Sequence, residues 1–193
     1  MTTTISTRLE TPPGYRSSEV ARFIWQLDEQ RRTLIEDTRG LTTADLEWQP
    51  APGMNSIGML LAHIAFAETH LAQVGLAAET TGHAHDVIGI SERDEGLPLA
   101  AGALPAPALH GKQLAFFDDA LARARAHTHG IAKTLADHDL LTEIVRPPRP
   151  DGTRRVFNKG WVLYHMLEHE AGHRAQINLL RHLRRVMAGD GAA

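Results

Sequence analysis

The chain has 193 residues, 42% of them hydrophobic, with 23 acidic and 20 basic side chains giving a formal net charge of −3, and it contains no cysteine. That length suits one domain over residues 1–193, with about fifteen N-terminal and about six C-terminal residues irregular. The interspersed charges exclude a strongly basic nucleic-acid face, and the missing cysteines exclude disulfides, a thiol nucleophile of the chain's own and zinc sites built on Cys pairs. The opening MTTTISTRLETPPGYRSS lacks the apolar region of a secretory signal, and no apolar run is expected to reach the roughly 20 residues of a membrane span. The expectation is a cytoplasmic protein with neither nucleic acid nor membrane as partner.

From about Ser18 to Thr38, Val20, Phe23, Ile24, Leu27, Leu34 and Ile35 recur at steps of mostly three and four, and Gly40 supplies a stop, which predicts an amphipathic helix. Pro50, Pro52 and Gly53 break the chain before Asn55 or Ser56 offers an N-cap to a second helix that runs to about Leu76 and carries His63. Residues 78–111, rich in Ala, Gly and Pro, have no sustained period; so long a connection holds either a short helix or a binding loop. From Lys112 to about Leu135, the series Leu114, Phe117, Leu121, Ala124, Thr128, Ile131 and Leu135 predicts a third helix. After the proline-locked RPPRPDG at 146–152, Asn158 can cap a last helix reaching about Val186, with Arg181, Arg184 and Arg185 near its negative end. No segment alternates with period two. Four long helices with a long second connection predict an all-α four-helix bundle.

Twelve histidines are the compositional oddity. Winding the last helix at about 100° per residue gives an apolar stripe on Val162, Met166, Ile177, Leu180 and Met187, with His169 and His173 in its middle and Arg174, Asn178, Arg181 and Arg185 opposite. Two inward imidazoles four residues apart lie about 6 Å apart along the axis and can converge on one metal ion. A third ligand must come from another helix. On the second helix His63 falls among Met59, Leu60, Phe66, Ala67 and Val74, with Glu68 away from that centre; His70 also faces inward but about 10 Å further along, so spacing leaves the choice between them open. The bland alternative is a set of core histidines bonded to their neighbours, which is the usual fate of a lone inward histidine. His165 sits at the stripe's edge beside Trp161 and is read as supporting or structural, while His83, His85, His110, His127, His129, His138 and His182 are read as solvated.

The string His169-Glu170-Ala171-Gly172-His173 also matches the H-E-x-x-H of zinc metalloproteases. That reading fails downstream, where the longer motif requires Gly and His and this sequence has Gln176 and Leu179. The wider pattern, NSIGMLLAHIAFAETHL in the second helix and WVLYHMLEHEAGHRAQINLLR in the last, resembles the DinB-like (YfiT-like) metal-binding four-helix bundles over most of the chain. The resemblance implies one divalent ion, zinc or nickel, held by His63, His169 and His173, and a homodimer. The family's R-G-Q-I-like tail reads Arg174-Ala175-Gln176-Ile177, with the ligands intact. It further implies metal-dependent hydrolysis or S-transfer with a low-molecular-weight thiol cosubstrate of the bacillithiol, mycothiol or glutathione kind, acting on a small-molecule substrate.

Three imidazoles leave a coordination position open, and a divalent ion lowers the pKa of the water or thiol it binds, so both chemistries are available. Glu170 is the candidate general base, about 80° from the stripe centre, and is either solvent-facing or at a helix interface. Gln176, one turn beyond His173, can orient a ligand or bond to a neighbouring helix. Arg146, Arg149, Arg154, Arg155 and Lys159 make the loop before the last helix basic, either as a solvated loop or as an attractor of an anionic cosubstrate. The non-enzymatic alternative is a metal-stabilised, ligand-binding bundle.

Overall fold

The computed structural model describes residues 8–79, 81–95 and 105–189. Its frame is four long helices: α1 (Ser18–Thr38), α3 (Ile57–Leu71), α6 (Leu114–Ala132) and α7 (Lys159–Met187). Three of the four begin at a side-chain cap. Ser17 caps α1 by accepting from Val20 N, Ser56 caps α3 by accepting from Met59 N, and Asn158 caps α7 by accepting from Trp161 N, each satisfying an amide that lacks an intrahelical partner. The short α2 (Thr43–Glu47) opens on a Thr42–Asp45 capping box.

Residues Ala72–Leu76 continue α3 as a π-helical turn. Gly75 lies in that turn, and a Cβ there would stand 2.8 and 2.9 Å from the two methyls of Val162. The missing side chain lets the C-terminal end of α3 close directly onto the N-terminal part of α7. The two helices therefore run antiparallel in contact, which fixes the histidines of one against those of the other.

Two apolar clusters fill the interior. One gathers Leu34, Ile57, Leu60, Ile64, Phe117, Leu121, Ile177 and Leu180; the other gathers Val20, Ile24, Leu27, Leu76, Val162, Leu163 and Met166. The predicted stripe on α7 is buried at Val162, Met166, Ile177 and Leu180, but Met187 is exposed. It lies in the helix's final turn. Arg174 and Asn178, placed opposite the stripe, face α1, where both donate to Asp37 Oδ2.

The connection between the second and third long helices holds short helices, one of the expected alternatives, and two other expectations fail. The 78–111 stretch forms α4 (Ala84–Ile88), α5 (Glu92–Glu95) and a 3-10 turn at Pro107–Leu109, while 96–104 lie outside the described residues. Ile88, Ile90 and Leu109 join the core, so the described parts of this connection cap the bundle. The sequence reading found no strands, yet β1 (Glu143–Val145) and β2 (Val156–Asn158) pair antiparallel with Ile144 opposite Phe157. Strands of three residues are too short for alternation to register. The stretch Ile57–Leu76 is, against expectation, long and apolar enough to cross a membrane, but most of it is buried inside the bundle, as befits a central core helix.

Candidate metal centre

Every ligand candidate sits on a rigid element. His63 projects from the middle of α3, and His169 and His173 project one turn apart from α7 toward it. His63 Nε2 lies 3.0 Å from His169 Nε2, and His173 Nε2 lies 3.1 Å from the same atom. One potential ligand nitrogen from each of the three lies within 4.8 Å of the others.

This convergence fits a metal ion better than mutual hydrogen bonding. A neutral imidazole nitrogen carries either one proton or one lone pair, whereas His169 Nε2 faces two other nitrogens at once. Ligand nitrogens about 3 Å apart are what bonds of about 2.0–2.1 Å to a shared ion require. Burial foremost, and then His173, His63 and His165 nearby, push the His169 pKa down to about 3. The ring is thus neutral near pH 7, the state that ligates metal. His173 Nδ1 lies 2.9 Å from Gln176 Oε1. Donating that proton to Gln176 leaves the Nε2 lone pair directed at the cluster, the customary way an outer contact fixes a ligand's tautomer.

The two rival histidines lie elsewhere. His70 stacks on Phe66 with ring centroids 5.9 Å apart, and a Cβ on Gly82 would stand 2.7 Å from His70 Nδ1, so the segment after α3 lies close against it. His165 stacks on Trp161 at 4.5 Å, and its Nδ1 lies 3.2 Å from Glu168. Of the histidines read as solvated, two differ: His129 bridges Tyr15 Oη at 2.5 Å and Asp28 Oδ1 at 3.1 Å, and His127 Nε2 is buried.

Glu170 is at a helix interface, 3% exposed. Its Oε1 accepts from Arg31 Nε at 2.8 Å and its Oε2 from Arg125 Nη2 at 2.8 Å. Glu68, expected away from the buried centre, is buried as well and accepts from Arg31 Nη2 at 2.6 Å and Arg125 Nε at 2.7 Å. Arg31 and Arg125 are each under one-tenth exposed. One charged residue from each long helix thus meets in a buried quartet of two guanidiniums and two carboxylates, immediately beside His169. With a further bond from Arg31 Nη2 to Oε2 at 3.2 Å, work as a general base would require Glu170 to give up contacts with these arginines.

Sequence reasoning missed this quartet, although its signal was present. Arg31 lies between Leu27 and Leu34, Arg125 between Leu121 and Thr128, and Glu170 between Met166 and His173, all at core spacing. Charged residues at apolar positions call for partners of opposite sign.

The chain belongs to the DinB superfamily, whose family model matches residues 26–177. That span includes all three histidines and the whole quartet. Among solved structures, the chain is similar to a conserved protein from Enterococcus faecalis, with a TM-score of 0.59 and 18% identity over 83% of this chain and 94% of that one. At that identity the likeness speaks for the fold alone. None of the curated proteins searched matches.

Proposed function

We propose that this protein is a metal-dependent enzyme in which His63, His169 and His173 hold one divalent ion, zinc or nickel, for hydrolysis of a small molecule or for S-transfer with a low-molecular-weight thiol. The observation that carries the reading is the meeting of three ring nitrogens from two helices at one point. An ion held there supplies Lewis acidity that activates water or a thiol as nucleophile. In this reading Gln176 sets the tautomer of His173. Glu170, with both oxygens engaged by arginines, locks the ligand helix in register and is not the base. A cleft of about 330 Å³ beside the site favours catalysis over a purely structural ion, which needs no such opening. A cytoplasmic homodimer is the expected setting.

The test is metal content per chain by elemental mass spectrometry on untagged protein and on His63→Ala, His169→Ala and His173→Ala. About one equivalent should be present in the parent, as one three-histidine site implies, and lost in all three variants, while His70→Ala and His165→Ala retain it. Turnover is then sought with ester and amide substrates and with electrophiles plus a thiol panel. Metal retained after loss of any one of the three histidines overturns the site; a loaded protein inert toward the whole panel favours the metal-stabilised bundle.

A further inference from the structure

The cleft just mentioned is lined by His70, Arg146, Arg149, Arg155, Trp161 and His165 together with apolar side chains. Its walls therefore hold three guanidiniums and no carboxylate. Elsewhere on the surface Arg32, Arg123, Arg174 and Arg184 are each met by an acidic side chain. Among the described residues, none of Arg146, Arg149 and Arg155 has an ion-pair partner. Glu143 lines only the neighbouring cleft that shares Arg155.

The arginines are mounted on a stiffened hairpin. Arg146 N donates to Arg155 O at 3.0 Å and Arg149 N to Thr153 O at 2.8 Å, which extends the β1–β2 ladder toward the proline-rich turn. The Arg155 guanidinium lies 4.9 Å from the centre of the Trp161 ring, whose plane is also within 17° of the His165 ring. A planar cation, an indole and an imidazole thus form a short stacked wall. That wall leads to the metal centre: the His165 and His169 rings are edge to face at 6.0 Å. His165 precedes His169 by one turn and His70 follows His63 by two, so the cleft begins roughly 6–10 Å along the helix axes from the ligands.

We propose that this cleft binds the oxyanionic end, carboxylate or phosphate, of a small substrate or cosubstrate, and that Arg146 and Arg155 read its charge while its other end reaches the histidine site. Guanidiniums suit the task because their fork of donors matches an oxyanion in bidentate fashion. The hairpin holds them before the ligand arrives, which lowers the ordering cost. The stacked wall accommodates a flat or apolar body between the two ends. The bridging part of the proposal rests on the metal reading above; the anion site itself does not.

Two measurements separate those parts. On metal-free protein, benzoate and benzyl alcohol are titrated while the Trp161 indole resonance is followed by NMR, and inorganic phosphate is the second anionic probe. Benzoate or phosphate should shift that resonance saturably, benzyl alcohol should bind about tenfold more weakly than benzoate, as loss of a charge-assisted pair implies, and Arg146→Gln/Arg155→Gln should abolish the difference. The exposed pair Arg32→Gln/Arg123→Gln should leave it unchanged. Phosphate acting alone would assign the cleft to phosphorylated ligands, and benzoate acting alone to carboxylates. No saturable anion shift, or a preference untouched by the Arg146/Arg155 substitutions, overturns the anion site.

On cobalt-loaded protein, mercaptohexanoate is compared with mercaptohexanol through the sulfur-to-cobalt absorption band. A preference for the carboxylate that vanishes with Arg146 and Arg155 places the two ends in one ligand; equal affinities overturn the bridge. Should cobalt not load on the three histidines, the metal reading and the bridge fall together, and the metal-free titration still decides the anion site.

Discussion

Replacing Glu68 by Gln removes one charge from the buried quartet while nearly preserving shape. In the parent, two guanidiniums and two carboxylates balance, and Asp28 meets Arg125 Nη1 at 2.9 Å from the half-exposed rim. In the variant the two buried guanidiniums share Glu170, with Asp28 at the rim as Arg125's other partner, so Arg31 loses one of its two carboxylates and the buried group carries an excess positive charge. An amide nitrogen is also set against donors that it cannot accept from. Breaking a buried ion pair from one side costs about 3–5 kcal/mol. In a domain of this size that corresponds to a fall in Tm of roughly 6–20 °C. The assay is urea unfolding at neutral pH followed by far-ultraviolet circular dichroism on metal-free protein, so that metal loss does not contribute. Adding Arg31→Met should recover part of the loss, since it removes the excess charge. A single-variant loss below about 1 kcal/mol, as surface pairs give, or a double variant losing the sum of both single changes, would refute the quartet as the clamp of the bundle.

The same network sets an acid limit. Burial raises the Glu68 pKa, but Arg125 and Arg31 outweigh it and bring it from 4.5 to about 2. A carboxyl depressed in the folded state contributes stability that is complete above its unfolded pKa and lost as pH falls through the folded one. Metal-free protein should therefore weaken progressively between pH 4.5 and 2, and Glu68→Gln should flatten that slope in acid titration of the unfolding free energy. Gln176→Leu should lower metal affinity about 10–100-fold, as loss of an outer-shell partner does, with little change in metal-free stability; chelator competition measures the first and urea unfolding the second. Gly75→Ala should cost about 1–3 kcal/mol by overpacking against Val162, while Gly172→Ala, where a Cβ meets nothing within 4 Å, should be neutral or slightly stabilising in the same unfolding assay.

Helix positions were legible because the signals are local. Ser18–Thr38 follows from its apolar period and Gly40, and the start of α7 follows from Asn158, because capping and periodicity act within a turn or two. The inward placement of His63, His169 and His173 follows from the same winding. The β-hairpin was not legible, since three-residue strands carry too few positions to show alternation. The burial of Glu68 was misplaced, and that of Glu170 was left open between solvent and a helix interface, for a related reason. Helical rotation gives an angle on one helix, whereas their burial depends on Arg31 and Arg125 arriving from two others.

By itself the sequence determined the four helices, the caps of α3 and α7, the apolar stripe of α7 and the set of inward histidines, all consequences of interactions between residues a few positions apart. Tertiary structure alone decided which histidines meet. His63 and His70 share a face of α3, and His165 and His169 share the spacing of His169 and His173; only the antiparallel contact of α3 with α7 through Gly75 and Val162 sets His63 opposite His169. The charged quartet has the same origin: Arg31, Glu68, Arg125 and Glu170 are separated by tens of residues along the chain, and no local rule brings them together. The arginines of the cleft form a local basic run that the sequence displays, and only their placement against His70 of α3 came from the fold.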